Sequence, residues 1–559
     1  MTGPKSILDY VYEHEAALAD QVFLTQPVGG GKVVDYTWRE MMDQSRRMAA
    51  HLGSLGLAPG ARVAMLAKNS AHFFMVDLAV WMAGATTVAI FPTETAENVR
   101  YVLEHSEASL LFIGKLDTWE QQRAAVPAGL ACIELPLAPH TGHETWDAII
   151  ARTAPLAGRP ARRGDDLAML LYTSGSTGQP KGVMQSFAGI TRAIECGLSD
   201  PHTALPDGVE ARGISYLPLA HSFERAVVEC RALVYGTGRV FFAESVDTFL
   251  DDLRRARPTT FISVPRLWLK FQQGVFAKMP PRRLDFLLGL PFIGKRVGRK
   301  VLEGLGLDQV RRAFSGSAPL PPALLEWYRR LGLNLMEGYG MTEDFAYSHR
   351  STPEASTAGY VGLPSPGVEV RIDDTGEILV KSPGRLAGYY KRPDLDAACF
   401  TADGFFRTGD LGEFGPGGQL RITGRAKEIF KTAKGEYVAP APSENRLLAS
   451  PLLEHAMVSG LGQSAPYAIV VLAEPWQARR EDAATRERVE AELGALLRDA
   501  NAALASHERL RMMVVARAPW TMESGDLTPT MKIRRSRIEA AVAPKLDAWY
   551  AQPGPVVWA

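Results

Sequence analysis

Residues 172–183 read Tyr-Thr-Ser-Gly-Ser-Thr-Gly-Gln-Pro-Lys-Gly-Val, directly behind the apolar run Leu167 to Leu171. Thr173, Ser174, Ser176 and Thr177 supply hydroxyls, Gly175, Gly178 and Gly182 supply open backbone, and Lys181 supplies a cation. Glycine lets backbone N–H groups approach an anion closely, hydroxyls add donors, and lysine acts as a point charge. Together these groups have the chemistry of a triphosphate cradle. Pro180 before the lysine and Gly182 after it break the G-x-x-x-x-G-K-[ST] spacing, so a Walker-type loop is excluded. A Gly/Ser linker is the plain alternative. The strand in front and the Pro-Lys pair inside argue against it.

Further blocks carry chemistry downstream. Glu337-Gly-Tyr-Gly-Met-Thr-Glu343 ends on a carboxylate, the oxygen ligand that a hard cation such as magnesium prefers. Arg407-Thr-Gly-Asp410 is a turn presenting one carboxylate, an acceptor that can take both hydroxyls of a vicinal diol. Close to the carboxyl end, Leu527-Thr-Pro-Thr-Met-Lys532 offers a lysine beside Arg534, Arg535 and Arg537. Three arginines on a solvated face are the simpler reading of that cluster than a nucleic-acid patch.

Seven blocks in one order, 172–183, 216–225, 315–319, 337–343, 407–410, 422–428 and 527–532, resemble the signature of the adenylate-forming superfamily of acyl-CoA synthetases, luciferases and peptide-synthetase adenylation domains. The resemblance is strongest toward long-chain fatty acid–CoA ligases, carried by Leu217-Pro-Leu-Ala-His-Ser-Phe-Glu-Arg225, Val264-Pro-Arg-Leu-Trp268 and 430–440. It implies that Thr342 contacts the α-phosphate, and that Tyr339 stacks on adenine in a nucleotide site shared with Gly340. The backbone of Gly316, Ser317 and Ala318 then walls the base, Asp410 binds both ribose hydroxyls, and Arg425 assists at the ribose or phosphate. Lys532 would act between carboxylate and α-phosphate. Met531 stands where the family often has glycine. Lys427 occupies the family's hinge position, and Gly435 would line a pantetheine tunnel. His221 would lie near the substrate carboxylate; a buried structural histidine is the rival reading.

The activity implied is ATP-dependent ligation of a long- or medium-chain fatty acid to coenzyme A through an acyl-AMP intermediate, with Mg2+ on Glu343. A carboxylate is a poor acyl donor until attack on ATP gives it AMP as leaving group, and the site must offset anion repulsion while doing so. Transfer of the acyl group to a carrier protein, or lactone closure without coenzyme A, remains the alternative.

The elements that must hold these blocks follow from patterning. Thr37-Trp-Arg-Glu40 is a capping box opening a helix that runs to Gly56. Strands are expected at 62–66, 86–91, 110–113, 239–242, 259–264 and 310–314, with helices at 71–83 and 96–104. This alternation predicts a large layered α/β domain with mostly parallel strands and helices on both faces. Its last part is β-rich, with hairpin strands at 377–381 and 419–423. A small mobile α+β domain follows from residue 425, giving domains 1–424 and 425–559.

The chain has 559 residues, too many for one core, and 62 basic residues against 62 acidic, so no net field attracts nucleic acid. Four scattered cysteines and the lack of an apolar leader point to the cytoplasm. The apolar stretch 73–91 contains Asp77 and Gly84 and closes at Pro92, which fits a buried helix and core strand better than a membrane span. Residues 281–300 combine Phe286, Phe292 and Ile293 with basic neighbours. They read either as an insertion packed on the large domain or as a peripheral contact with the inner membrane surface. Their prolines and glycines forbid one long helix there.

Overall fold

The structure is a computed structural model that describes residues 5–174 and 179–559. The chain groups into two compact units, residues 1–370 with 380–406, and residues 371–379 with 407–559.

The first unit is built on three sheets. The largest has eight strands, and at its centre Thr86–Ile90, Arg62–Leu66 and Ala108–Ile113 run parallel to one another. Leu167–Ser174 joins them in parallel and then turns back on Pro180–Ser186 in an antiparallel pair, which places Thr173 opposite Lys181. The strand before the first block is therefore an interior strand of the main sheet. Lys181 therefore lies on the neighbouring antiparallel strand of the same sheet.

Helix Ala71–Met82 explains the apolar stretch, because every one of its residues is buried. It ends before Gly84, whose φ of 80° is a left-handed value that glycine adopts without strain, and Thr86–Ile90 follows as a buried strand. Among the described residues no helix is long and apolar enough to cross a membrane. The capping box at Thr37 forms, with Thr37 Oγ1 accepting from the Glu40 N–H, and the helix runs Trp38–Ser54.

A second sheet pairs Arg212–Ser215 and Val22–Pro27 with Arg239–Phe242 in parallel. A third runs Thr260–Ser263, Arg312–Ser315 and Leu335–Tyr339 in parallel, then turns antiparallel through His349–Arg350. Two of the chemistry-bearing blocks leave this sheet at the carboxyl ends of adjacent parallel strands, where ligand crevices form in open α/β sheets.

The segment 281–300 is two helices, Pro281–Gly289 and Ile293–Gly304, broken at Phe292. A Cβ on Gly298 would lie 2.7 Å from the Leu331 carbonyl oxygen, so this pair is seated closely on helix Pro322–Leu331. Leu284 is buried at its base, whereas Phe286 and Phe292 are 68% and 90% exposed. Base and tip thus differ: one is packed insertion, the other an apolar point in solvent.

The second unit contains the hairpin Phe406–Phe414 and Leu420–Arg425, whose register sets Asp410 opposite Arg425. Beyond it a four-stranded sheet orders Leu453–Ser459, Tyr467–Leu472, Met513–Val515 and Val556–Trp558. The helix Ala483–Ala502 buries Val489, Leu493 and Leu497. Contacts group residues 407–425 with the second unit.

Candidate active site

Thr342 is the joint of the site in the first unit. It opens the short 3₁₀ turn Thr342–Asp344 after Leu335–Tyr339. The turn is held from inside by Asp344, which accepts from the Met341 N–H at 2.8 Å and the Tyr347 N–H at 3.2 Å. Burial pushes the Asp344 carboxyl up to about 7 against those donors. Phe345 and Ala346 follow with φ of 55° and 57°, two successive left-handed residues that are not glycine. Such backbone persists only where its surroundings over-determine it. Here Ala346 N–H reaches Met341 O at 2.8 Å, and a Cβ on Gly340 would lie 2.6 Å from the Ala346 carbonyl carbon. Gly340 is required by close packing.

On one side of the joint stands the charged group of the site. The Gln185 amide donates to Thr342 O at 2.8 Å, tying the turn to the Pro180–Ser186 strand. The Tyr389 hydroxyl donates to Glu343 Oε1 at 2.8 Å. Lys181 Nζ lies 5.5 Å from the centroid of the same tyrosine ring, within cation–π range. Tyr389 comes from the two-residue strand Gly388–Tyr389, paired with Val183. Burial, reinforced by the Glu343 carboxylate, raises its phenol far above the ordinary value, so it stays a neutral donor. Lys181 and Glu343 are thus brought together by a residue that the sequence did not mark. A Gly-Tyr-Tyr-Lys stretch has no periodicity or spacing to single it out.

The other side of the joint is apolar. Thr342 Oγ1 and Ser222 Oγ lie 3.2 Å apart, and His221 precedes Ser222 as the cap of its helix, with Nδ1 accepting from the Phe223 N–H at 3.1 Å. The neutral ring therefore carries its proton on Nε2. A cavity of about 150 Å³ begins at His221 and Ser222 and is walled by Phe223, Ala226, Val227 and Phe314. Gly316, Ser317, Gly338, Tyr339 and Gly340 also border it. Gly316 packs under Phe223, where a Cβ would meet the ring at 3.3 Å, and Ser317 takes a φ of 71°. Ser317 and Ala318 are exposed at the end of Arg312–Ser315. Tyr339 stands opposite His349 in the sheet, ring centroids 6.0 Å apart.

The rest of the His221 block is structural. Glu224 is fully buried and accepts from the Tyr216 N–H at 3.0 Å; burial holds its carboxyl at about 8. Arg225 is fully buried, donates from Nε to Leu219 O at 2.7 Å, and pairs with Asp77 and with Glu229. Both side chains hold the turn that presents His221, and the Asp77 of the apolar stretch thereby acquires its partner.

Gly175, Ser176, Thr177 and Gly178 lie outside the described residues, as does the side chain of Ser174. Four expected residues belong to the second unit. Asp410 is buried, and its Oδ1 accepts from Arg425 Nε at 2.7 Å. Gly435 has a φ of 85° in the turn between Phe430–Lys431 and Tyr437–Val438, and the turn itself asks for glycine. Lys532 is exposed, with its backbone clamped by Thr528, whose N–H donates to Lys532 O at 2.8 Å and whose Oγ1 accepts from Lys532 N–H at 3.1 Å. Met531 beside it has a φ of 60°, a conformation that suits glycine. The nearby arginines are not all on a solvated face. Arg535 is largely buried against Glu444 and Glu428, because two carboxylates there require a cation.

The family model described as AMP-binding enzyme matches residues 12–390, and that of the AMP-binding enzyme C-terminal domain matches 427–553. The long-chain-fatty-acid–CoA ligase FadD15 of Mycobacterium bovis is 32% identical, covering 97% of this chain and 96% of that protein. The peroxisomal long chain acyl-CoA synthetase 7 of Arabidopsis thaliana is 28% identical over 97% of this chain and 86% of its own. The crystal structure of the adenylation domain of a carboxylate reductase from Mycobacterium chelonae superposes with a TM-score of 0.82 at 24% identity, covering 99% of this chain and 92% of that one. That likeness bears on the fold, which is mixed α/β with a large amino-terminal part.

Proposed function

The chain belongs to the AMP-binding enzyme family, and on that premise we propose that it is an AMP-forming ligase joining a long- or medium-chain fatty acid to coenzyme A through an acyl-AMP. One arrangement carries the reading: Thr342 has the Lys181–Tyr389–Glu343 group on one side and the mouth of an apolar cavity at Ser222 and His221 on the other. An acid lying in that cavity would bring its carboxylate to the residue next to the phosphate-binding group, which is what adenylation requires.

In this reading Lys181 and the hydroxyls of 173–177 hold the β- and γ-phosphates of ATP. Tyr339 and the backbone of 316–318 take the adenine, with Gly340 leaving room for the turn, and Asp410 with Arg425 takes the ribose. Glu343 suits Mg2+, because a carboxylate supplemented by substrate phosphates and water is its ordinary coordination. The ion would neutralise phosphate charge. Among the described residues no cluster of three acidic, histidine or cysteine side chains competes for it. Lys532 serves the first half-reaction, Gly435 the thiol stage, and residues 425–559 form the mobile lid. His221 orients the carboxylate through the Nε2 proton that its capping contact dictates.

The test is pyrophosphate release over a panel of carboxylic acids, with and without coenzyme A. A thioester product from fatty acids is expected. Acyl-AMP that accumulates and never becomes a thioester would overturn the ligase reading in favour of a carrier-protein or lactone-forming enzyme.

A peripheral membrane contact at the cytoplasmic face is part of the proposal. Phe292 and Phe286 stand out beside exposed Lys295, Arg296, Arg282 and Arg283, the pairing that favours an anionic lipid surface. Co-sedimentation with anionic vesicles at low salt is expected to drop at least several-fold in a Phe286→Ser/Phe292→Ser double variant. Absence of binding by the parent protein would refute the contact.

A further inference from the structure

One run of chain in the first unit carries two arginines, Arg225 fully buried and Arg231 partly buried, and treats them differently. Arg225 has two carboxylates, Asp77 and Glu229. Arg231, six residues on at the head of helix Arg231–Tyr235, lines the apolar cavity, and its hydrogen bond runs from Nη2 to the backbone carbonyl of Thr203 at 3.1 Å. A guanidinium carries five donors and cannot shed its charge in a protein. Desolvation pulls the Arg231 side chain below its ordinary value, opposed by the phenol of Tyr235. A second cation on the cavity wall, Arg350, is already engaged by Asp200 and by Ser365 Oγ at 2.9 Å. Arg231 and Arg350 both border the same cavity as His221. The helical run from Ser222 continues through the π-helical stretch Arg225–Cys230 into Arg231–Tyr235, so Arg231 stands roughly two turns along it from His221.

A partly buried charge in an apolar wall, with a carbonyl for company, is costly unless something else pairs with it. The cavity that it borders is the one assigned above to the acyl chain. We infer that the cavity of this protein accepts an acyl chain carrying an oxygen acceptor at its far end, a second carboxylate fitting best, and that Arg231 selects for it. This inference rests on the fatty acid–ligase reading and sharpens its substrate class. One carboxylate attacks the α-phosphorus of ATP and releases pyrophosphate, while the other keeps its charge against Arg231. The chemistry at the reacting end is unchanged.

The experiment compares kcat/KM for pyrophosphate release with unsubstituted, ω-hydroxy and ω-carboxy acids of matched lengths, in the parent protein and in Arg231→Met and Arg231→Lys. For the parent protein, the ω-carboxy acid of the best length is expected to exceed the plain acid by roughly 10- to 100-fold, with the ω-hydroxy acid between. Arg231→Met should reverse that order, and Arg231→Lys should restore part of it. A parent protein that turns over plain acids best at every length overturns the inference while leaving the ligase reading standing. Equal loss on all three acids in Arg231→Met also overturns it. Turnover of no acid at all speaks against the ligase reading itself. If Arg231→Met does not fold, the parent panel and Arg231→Lys still decide.

Discussion

Replacing Lys532 by alanine is expected to remove acyl-AMP formation by a factor on the order of 10³ while sparing thioester formation from supplied acyl-AMP. The size follows from the task. Carboxylate and α-phosphate are both anionic, and a cation between them in a water-poor site offsets repulsion that grows along the reaction coordinate. The two half-reactions are separable because the second has no such pair of anions to bring together. The structure makes the variant a clean one. Lys532 is held through its backbone by Thr528 and the residue is exposed, so folding stability should stay within the scatter of a surface substitution, about 0.5 kcal/mol. Pyrophosphate exchange reads the first step, and thioester yield from synthetic acyl-AMP reads the second. Equal loss in both would mean that the lysine has been assigned to the wrong event.

The main sheet was legible because its strands obey simple rules. Arg62–Leu66 and Thr86–Ile90 are short apolar runs bounded by turn residues, and a parallel strand buried on both faces is just such a run. Helix Ala71–Met82 is a harder case, since a helix apolar on every side has no amphipathic stripe. Asp77 and Gly84 distinguished it from a membrane span, and the structure supplies the physical reason in Arg225. The apolar pattern places a strand at 310–314, two residues early; the observed Arg312–Ser315 runs into the exposed turn at Ser317.

The site divides in the same way. Blocks whose chemistry lies within a few residues, such as Thr342-Glu343 or the Thr173/Lys181 hairpin, could be found by spacing. Tyr389 could not, because it contributes one hydroxyl from a two-residue strand whose partner is two hundred positions upstream in the chain. Nor could the apolar cavity, whose walls come from segments near 193, 226, 314 and 346. The polar neighbours of His221 show a different division of labour: Glu224 and Arg225 share its block and serve as buried struts. Residue type alone does not separate a strut from a reagent; what a side chain faces does.

The struts give the second large prediction. Arg225→Met removes the cation between Asp77 and Glu229, all three of which are fully buried. Deleting one member of a buried ion group leaves uncompensated charge and costs about 3–5 kcal/mol. For a unit this large the corresponding fall in melting temperature is roughly 5 °C. The pH dependence has a definite sign. Burial already holds the Glu229 carboxyl well above its ordinary value, despite the opposing pull of Arg225. Stability from a carboxyl raised in the folded state is complete below the unfolded value and is lost as pH rises through the folded one. Without Arg225 that loss deepens, so the deficit of the variant should be larger at pH 8 than at pH 5.5. Replacing the triad together, Asp77→Leu/Arg225→Met/Glu229→Leu, should recover most of the stability, since apolar side chains of similar volume commonly substitute for a buried ion group. It should not recover turnover, because the Arg225 Nε contact to Leu219 O that steadies the His221 turn is still missing. Thermal melts at both pH values with pyrophosphate release on the same samples check all three points. A triple variant that regained full activity would show that the group acts on stability alone.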